Sequence, residues 1–258
     1  MIAAALGIAG IAVYLYAVAL YRRRYPDRGF PAWRVVAFVA GWGLMTAVLL
    51  PAMDVRADTS FADHMLQHMV LLLAAPPLIL LGAPLLLAVS VPPPRVARHI
   101  THFCNTTFGH ALFSPVTGWL TYVFVLWAAH FSPLYELSLQ YSAVHVAEHA
   151  LFMASAFLFW GAIVQIGYVP RPVPYAARMF YLFLAIPQGA FLGFALIASR
   201  HVLYPHYLMV FGSVQAALLD QHNAGDVMWI FGGFLMFTGF MITAGAWAAA
   251  ERGAAPAR

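Results

Sequence analysis

Charged side chains are scarce in this sequence, and lysine is absent. Only 9% of the 258 residues are charged, all thirteen basic residues are arginine, and 63% of the residues are hydrophobic. A water-soluble domain carries roughly 25% charged residues, so this chain lacks the polar surface needed to face water on every side. The composition therefore predicts an integral membrane protein.

Cysteine is nearly absent as well, since Cys104 is the only one. A single cysteine excludes an intrachain disulfide and a multi-cysteine metal site. The chain also lacks the segments of alternating hydrophobicity, about 10 residues long, that are typical of a transmembrane β-barrel. We therefore predict an all-α integral membrane protein in which residues 1–258 form a single transmembrane helical-bundle domain.

Long apolar runs are what the sequence does contain. Several of them approach the ~20 residues that an α-helix needs to cross a bilayer. The first run is followed by arginines rather than by a cleavage site, so we interpret it as a membrane helix and not as a signal peptide. Seven transmembrane spans are predicted, at about 2–21, 33–52, 62–90, 115–131, 140–166, 176–199 and 226–249. The third is longer than a bilayer requires, and Pro76 and Pro77 predict a kink within it.

Arginine is divided unevenly between alternate loops. Eleven arginines fall in the first, third and fifth loops and the C-terminal tail, against two in the other loops. Because basic loops stay on the cytoplasmic side, we predict an outward-facing N-terminus, a cytoplasmic C-terminus and a multi-pass location in the inner (plasma) membrane. Eight of the eleven histidines and seven of the nine carboxylates fall on the opposite side. This asymmetry predicts a site that opens to the periplasm or extracellular space.

Two HxxxH pairs head different predicted spans. His64 and His68 begin the third span, and His145 and His149 lie near the outer end of the fifth. Residues four apart share one face of a helix, and neutral imidazole is the commonest metal ligand. Ionisable groups in membrane helices are costly and face the bundle interior. The matched depth of the two pairs predicts one metal site with four imidazole ligands.

Further polar and sulfur-bearing side chains lie beside these pairs or at the outer ends of other predicted spans. Thioether together with imidazole suits copper, so His130 and Met69 are auxiliary ligand candidates. A carboxylate beside a ligating histidine can orient the imidazole, although one at a helix start can equally act as an N-cap. The candidates for orienting the histidines or for transferring the metal are Asp63, Glu148, Asp220 and Met228.

Several of these blocks also resemble a known family. Segment 64–69, followed by segments 75–78 and 81–84, resembles the CtaG family of multispan cytochrome c oxidase assembly factors, and segments 130–135 and 145–149 extend the similarity. Asp220 with Gln221 and Met228 with Trp229 complete it. The resemblance implies a seven-span protein that helps to build an active haem-copper oxidase by supplying copper. Its implied partners are a membrane-embedded oxidase subunit and a periplasmic copper donor protein.

Other functions are compatible with the same residues. Paired histidines on two helices can hold a haem axially, as in a b-type haem-binding or haem-handling membrane protein. A metal-dependent membrane oxidoreductase or hydrolase would use Glu148 as an acid or base, whereas an assembly scaffold would bind no metal. We expect no enzymatic activity, because the sequence offers no plausible nucleophile–base pair or phosphate-binding loop. The arginines are explained by topology, so we expect the lipid bilayer, and not nucleic acid, around the chain.

Overall fold

A computed structural model describes residues 2–254, and within that range all regular secondary structure is helical. The all-α prediction is confirmed for this part of the chain. Met1 and residues 255–258 belong to the predicted domain and its cytoplasmic tail, but they lie outside the described residues. That the whole chain forms one domain remains a prediction.

The helices are numbered here in chain order. A 3-10 turn at Pro26–Arg28 joins the first two, and π-helical turns occur at Val70–Ala74 and Val227–Phe231. The α-helices are α1 (Ile2–Arg24), α2 (Ala32–Val48), α3 (Pro51–Thr59), α4 (Phe61–Met69), α5 (Ala75–Leu81), α6 (Pro84–Ser90), α7 (Pro94–Asn105), α8 (Thr107–Leu112), α9 (Pro115–Phe131), α10 (Leu134–Gln140), α11 (Ser142–Gly161), α12 (Tyr175–Ala198), α13 (Pro205–Phe211), α14 (Val214–Asp226) and α15 (Gly232–Ala254).

Long apolar helices dominate the fold, as expected of a membrane protein. Among the residues that the structure describes, five helical runs are long and apolar enough to cross a membrane. Helices α2 and α3, which are bent by 55° at their junction, form a sixth candidate membrane span if they cross it together. The predicted span 115–131 corresponds to α9, which has 17 residues. The count of seven spans and the orientation of the termini remain predictions. The helical runs that are long and apolar enough to cross a membrane are Ala3–Arg24, Phe61–Leu81, Ser142–Gly161, Tyr175–Ala198 and Val214–Gly253.

The predicted third span is shorter than expected. It ends at Leu81, because Ala83 adopts a left-handed conformation (φ 51°) directly before Pro84, where the separate helix α6 begins. The prolines within the span act through the backbone. Since Pro76 has no N–H, it cannot bond the carbonyl four residues earlier, and the chain widens into a π-helical turn just before it. Trp160 Nε1–H donates instead to the Leu72 carbonyl, at 2.9 Å.

The last predicted span also differs from the structure. A continuous helical run, Val214–Gly253, extends well before residue 226. Asp220, which was expected in an outer loop, therefore lies on α14. Helices α14 and α12 pack closely at two glycines. A Cβ on Gly193 would lie only 2.7 Å from the Gly225 carbonyl oxygen, and a Cβ on Gly225 would lie 2.7 Å from the Gly193 carbonyl oxygen, so the absence of side chains allows this approach. Helix α14 also contacts α4, which brings Asp220 to the start of that helix.

The segments predicted to share one side of the membrane meet at the same end of the bundle. Arg24 donates to the Ser90 carbonyl at 3.2 Å, and Arg171 donates to the His110 carbonyl at 3.4 Å. At the opposite end, the short helices α3, α10 and α13 lie near the starts of α4 and α11. The two helices that carry the HxxxH pairs therefore begin next to a group of short helices at this end of the bundle.

Candidate metal centre

Four imidazoles meet between α4 and α11. One ring nitrogen from each of His64, His68, His145 and His149 lies within 4.8 Å of all the others. His64 and His68 are completely buried, His149 is 5% exposed and His145 is half-buried. With metal–nitrogen bonds of about 2.0 Å, nitrogens on opposite sides of one ion are about 4 Å apart. The two pairs thus converge, as a four-imidazole site requires, and small side-chain movements would let them ligate one ion.

The start of α4 is fixed by hydrogen bonds that position its histidines. The Ser60 hydroxyl oxygen accepts from the Asp63 backbone N–H at 3.2 Å and so caps the helix. Asp220 Oδ1 accepts from the Ser60 hydroxyl at 2.9 Å, and Asp220 Oδ2 accepts from the Phe61 N–H at 2.5 Å. Asp220 therefore anchors the helix end from which His64 projects, one turn further on.

A tyrosine determines which nitrogen of His64 faces the cluster. The Tyr207 hydroxyl donates to the Ala57 carbonyl at 3.0 Å, and a carbonyl can only accept. Burial raises the pKa of Tyr207, so the phenol keeps its proton. The Tyr207 oxygen can then accept from His64 Nδ1–H, at 3.3 Å. Neutral His64 consequently presents the lone pair of Nε2, which lies 3.1 Å from Nε2 of His68.

Unpartnered buried atoms are concentrated in this cluster. Buried polar atoms normally have hydrogen-bond partners, because leaving one unpaired costs about 1–3 kcal/mol. Glu148, only 1% exposed, has both oxygens unpartnered, and Oε2 lies 3.9 Å from His68 Nε2. A cation would satisfy both the imidazole lone pairs and this carboxylate. Within residues 2–254, five of the nine buried side-chain atoms without a partner belong to the cluster: His68 Nδ1, His145 Nε2, His149 Nε2, and Oε1 and Oε2 of Glu148.

Asp63 pairs with an arginine in this structure. Its carboxylate accepts two hydrogen bonds from Arg56, at 2.9 and 3.2 Å, which join the side chain to α3. A role for Asp63 in orienting a histidine or in transferring the metal remains a prediction. The alternative N-cap role is taken by the Ser60 side chain. Glu148 is the predicted carboxylate that the structure does bring to the histidines.

His130 lies outside the four-histidine set. Its Nδ1–H donates to the Leu126 carbonyl at 2.8 Å, within α9. Its Nε2 lies 3.3 Å from the sulfur of Met65, a residue that follows His64 directly in the chain. Met65 was not among the predicted site residues. The adjacent HxxxH pair gives no signal for this contact, because Met65 points to a different face of α4.

Met69, an auxiliary ligand candidate, and Met228, a candidate for metal transfer, lie together. Met69 and Met228 are both buried and line one small cavity with Met236. The two π-helical turns adjoin this region, since Met69 directly precedes the first and Met228 lies within the second. A Cβ on Gly232 would lie 3.1 Å from the Met69 sulfur, so a glycine leaves room for the thioether. Metal binding by either methionine remains a prediction.

The apolar helices and the buried imidazole–carboxylate cluster define a helical membrane protein with a candidate metal centre. Comparison with protein families gives a more specific result. The model of the cytochrome c oxidase caa3 assembly factor family (Caa3_CtaG) matches residues 12–250. The chain therefore belongs to this family, and the resemblance noted in its motifs is confirmed.

Curated relatives are found in mycobacteria. Uncharacterized proteins of Mycobacterium bovis and Mycobacterium tuberculosis are each 27% identical to this chain over 234 residues, which cover 87% of it and 35% of their own length. One from Mycobacterium leprae is 27% identical over 228 residues, or 83% of this chain and 34% of the relative. The chain thus spans about a third of the length of these relatives. No solved structure matches the chain.

Proposed function

We propose that this protein binds a copper ion with the four histidines between α4 and α11 and delivers it to a membrane-embedded subunit of cytochrome c oxidase. The observation that carries the proposal is the set of four buried ring nitrogens within 4.8 Å of one another, with the Glu148 carboxylate beside them. Family membership supplies the biological context, which is assembly of the oxidase. Copper would be the cargo of the protein, and no turnover chemistry is proposed.

Copper is favoured over other metals by the ligand types near the site. Imidazole alone suits zinc, copper, iron and nickel, whereas thioethers select the softer copper(I). Met65 directly follows His64 on α4, and its buried sulfur lies 3.3 Å from Nε2 of His130, so a thioether adjoins the four-histidine set although it is not part of that set. Cys104, the only cysteine, lies on the distant helix α7, so no thiolate competes at this position.

The packing of the imidazoles supports an ion and not a haem. The ring centroids are 4.4 Å apart in the His64–His68 pair and 4.1 Å apart in the His145–His149 pair. Between the helices, the His64–His145 centroids are 5.1 Å apart and the His68–His149 centroids 5.4 Å. A haem macrocycle must lie between its two axial imidazoles, and rings in mutual contact leave no slot for it.

Delivery requires that copper can enter and leave the site. His145 is the most exposed of the four ligands, so it would take copper from a periplasmic donor first. The other three would then replace the donor's ligands one at a time, and the reverse exchange would pass the ion sideways to the oxidase subunit within the bilayer. This route assumes the predicted inner-membrane topology, with seven spans in one domain, an outward-facing N-terminus and a cytoplasmic C-terminus.

The test combines a measurement on purified protein with one in cells. Copper content and the optical spectrum are compared between the wild type and the His64→Ala/His145→Ala variant. Both forms are also expressed in a strain that lacks its own copy, and oxidase activity and copper content are measured in the membranes. We expect the variant to bind one copper ion fewer than the wild type, to show no Soret band and to leave the oxidase deficient in copper. A copper content equal to that of the wild type would contradict the site, and a haem spectrum or full oxidase assembly would contradict the function.

A further inference from the structure

The contact between Met65 on α4 and His130 on α9 is the second place where metal-ligating atoms converge. The Met65 sulfur lies 3.3 Å from His130 Nε2. Met65 is completely buried and His130 is 6% exposed. Both atoms belong to the bundle interior, yet neither is part of the four-histidine cluster.

The hydrogen bonding of His130 leaves two lone pairs facing each other. Its Nδ1 lies 2.8 Å from the Leu126 carbonyl, which only accepts, so in the neutral ring Nδ1 carries the proton. Nε2 then offers a lone pair, and the sulfur of Met65 has no hydrogen to donate. Within the described residues, no carboxylate lies within 4.0 Å of His130 to favour a charged ring. A shared cation is the partner that would satisfy both atoms.

The separation of the two atoms fits a single bridging ion. With a metal–nitrogen bond of about 2.0 Å and a metal–sulfur bond of about 2.3 Å, two ligand atoms on one ion are at most about 4.3 Å apart. The observed 3.3 Å can open to that value by rotation of the Met65 side chain, which has three rotatable bonds. Imidazole with thioether is a ligand pair suited to copper(I).

Helix geometry separates this pair from the four histidines. Successive residues of an α-helix point about 100° apart, so Met65 faces α9 while His64 and His68 face α11. The ring of Tyr135 adjoins both groups, with its centroid 4.9 Å from that of His64 and 6.0 Å from that of His130. The two sets of ligands are therefore neighbours that adjoin one aromatic ring.

We propose that Met65 and His130 form a second copper position, selective for copper(I), beside the four-histidine site. This position does not depend on copper binding by the four histidines, so either proposal can fail alone. A cuprous ion would be held by the Met65 sulfur and His130 Nε2, and no change of oxidation state is involved.

The experiment measures copper(I) bound by the purified full chain without oxygen, by competition with a chromogenic chelator and by X-ray absorption. Wild type should bind about two copper(I) ions and show copper–sulfur scattering. Met65→Leu, which preserves side-chain volume, should bind one ion fewer and lose the sulfur scattering. His130→Gln should also lose one ion. Met236→Leu is the matched control, because Met236 is buried to 3% exposure on α15, and it should behave as wild type.

The His64→Ala/His145→Ala variant separates the two proposals. It should keep one copper(I) ion with sulfur scattering, even though the four-histidine site is broken. Absence of copper–sulfur scattering in the wild type, or its persistence in Met65→Leu, would overturn the second position. Retention of both ions by His130→Gln would overturn it as well. If size-exclusion chromatography or thermal unfolding shows that Met65→Leu is not folded, the result for His130→Gln decides the question.

Discussion

The two ends of the bundle both carry histidines, but only one end buries a group of them. At the arginine-rich end, His99, His102 and His110 are exposed, and the His99 ring bonds to the Arg95 carbonyl at 2.7 Å. At the other end His64 and His68 are completely buried, and they lie among ring nitrogens and a carboxylate that have no partner. The number of histidines therefore does not identify the site. The site is identified by burial of polar atoms that have no hydrogen-bond partner.

The charged groups follow the same division. Several guanidinium groups at the first end donate to backbone carbonyls, as when Arg22 donates to the Phe30 carbonyl at 3.0 Å. At the other end Asp220 is satisfied by Ser60 and the start of α4, whereas Glu148 is left without a hydrogen bond. A metal ion would change the energetics of one end only.

Removing one histidine from each pair should nearly abolish copper binding at the four-histidine site. We expect His64→Ala/His145→Ala to weaken copper affinity at the four-histidine site at least ~100-fold, because changes to groups that only orient ligands already cost 10–100-fold. The matched control is His99→Ala/His102→Ala at the arginine-rich end, which should bind copper as wild type. Chelator competition with copper(II) measures both. Equal losses in the two variants would remove the distinction between the ends.

Acidification should weaken copper binding at the four-histidine site. Imidazole must be deprotonated to bind a metal, and burial opposes charging of the ring, so protons compete for it only well below its ordinary pKa of about 6.5. The affinity should be fully present at neutral pH and fall at least ~10-fold only below about pH 5. Copper titrations at fixed ionic strength measure it. A pH-independent affinity would mean that the imidazoles are not the ligands.

The tyrosine that orients His64 should have a smaller effect. Tyr207→Phe removes the oxygen that accepts from His64 Nδ1–H, and loss of such an orienting partner costs ~10-fold in metal affinity. Tyr14→Phe is the control, because the buried Tyr14 hydroxyl donates to the Gly82 carbonyl at the arginine-rich end. Chelator competition on both variants should show a loss only for Tyr207→Phe. A similar loss in Tyr14→Phe would indicate a general effect of packing.

Asp220→Asn should affect stability more than copper. It weakens the hydrogen bonds to Ser60 and the Phe61 N–H, and loss of a helix cap costs about 1 kcal/mol. Thermal unfolding of the copper-free protein in detergent should show a lower melting temperature, with copper affinity changed only a few-fold. The exposed Asp226, on the same helix, gives the control Asp226→Asn with an unchanged melting temperature. A large loss of copper affinity in Asp220→Asn would instead assign Asp220 to the transfer of the ion.

The inward-facing histidine pair on each helix could be predicted because it depends on local rules. A four-residue spacing determines the helix face, and the cost of burying imidazole in a membrane directs that face inward. That the two pairs meet was a hypothesis, because the sequence does not show whether the two helices touch. Pairing across the sequence could not be predicted in the same way. Asp63 adjoins His64 in the chain but pairs with Arg56, while Asp220, 160 residues from Ser60, anchors α4.

The Met65–His130 contact was missed for a related reason. It joins residues 65 positions apart in sequence, and Met65 lies on a face of α4 different from that of the paired histidines. Only the packing of α9 shows what this side chain meets. The π-helical turns were equally hidden, since Pro76 and Pro77 predict a kink but not a widened turn that precedes them.

The hydrogen bond between Trp160 and the Leu72 carbonyl has a consequence for the metal centre. It joins the helical run of α4 to α11, the two elements that carry the histidine pairs. The carbonyl is available because Pro76 cannot use it, and Pro76 lies about two turns beyond His68. Pro76, within the apolar core, thus helps to fix the axial register of one imidazole pair against the other. The ligands are therefore aligned by the backbone before a metal binds.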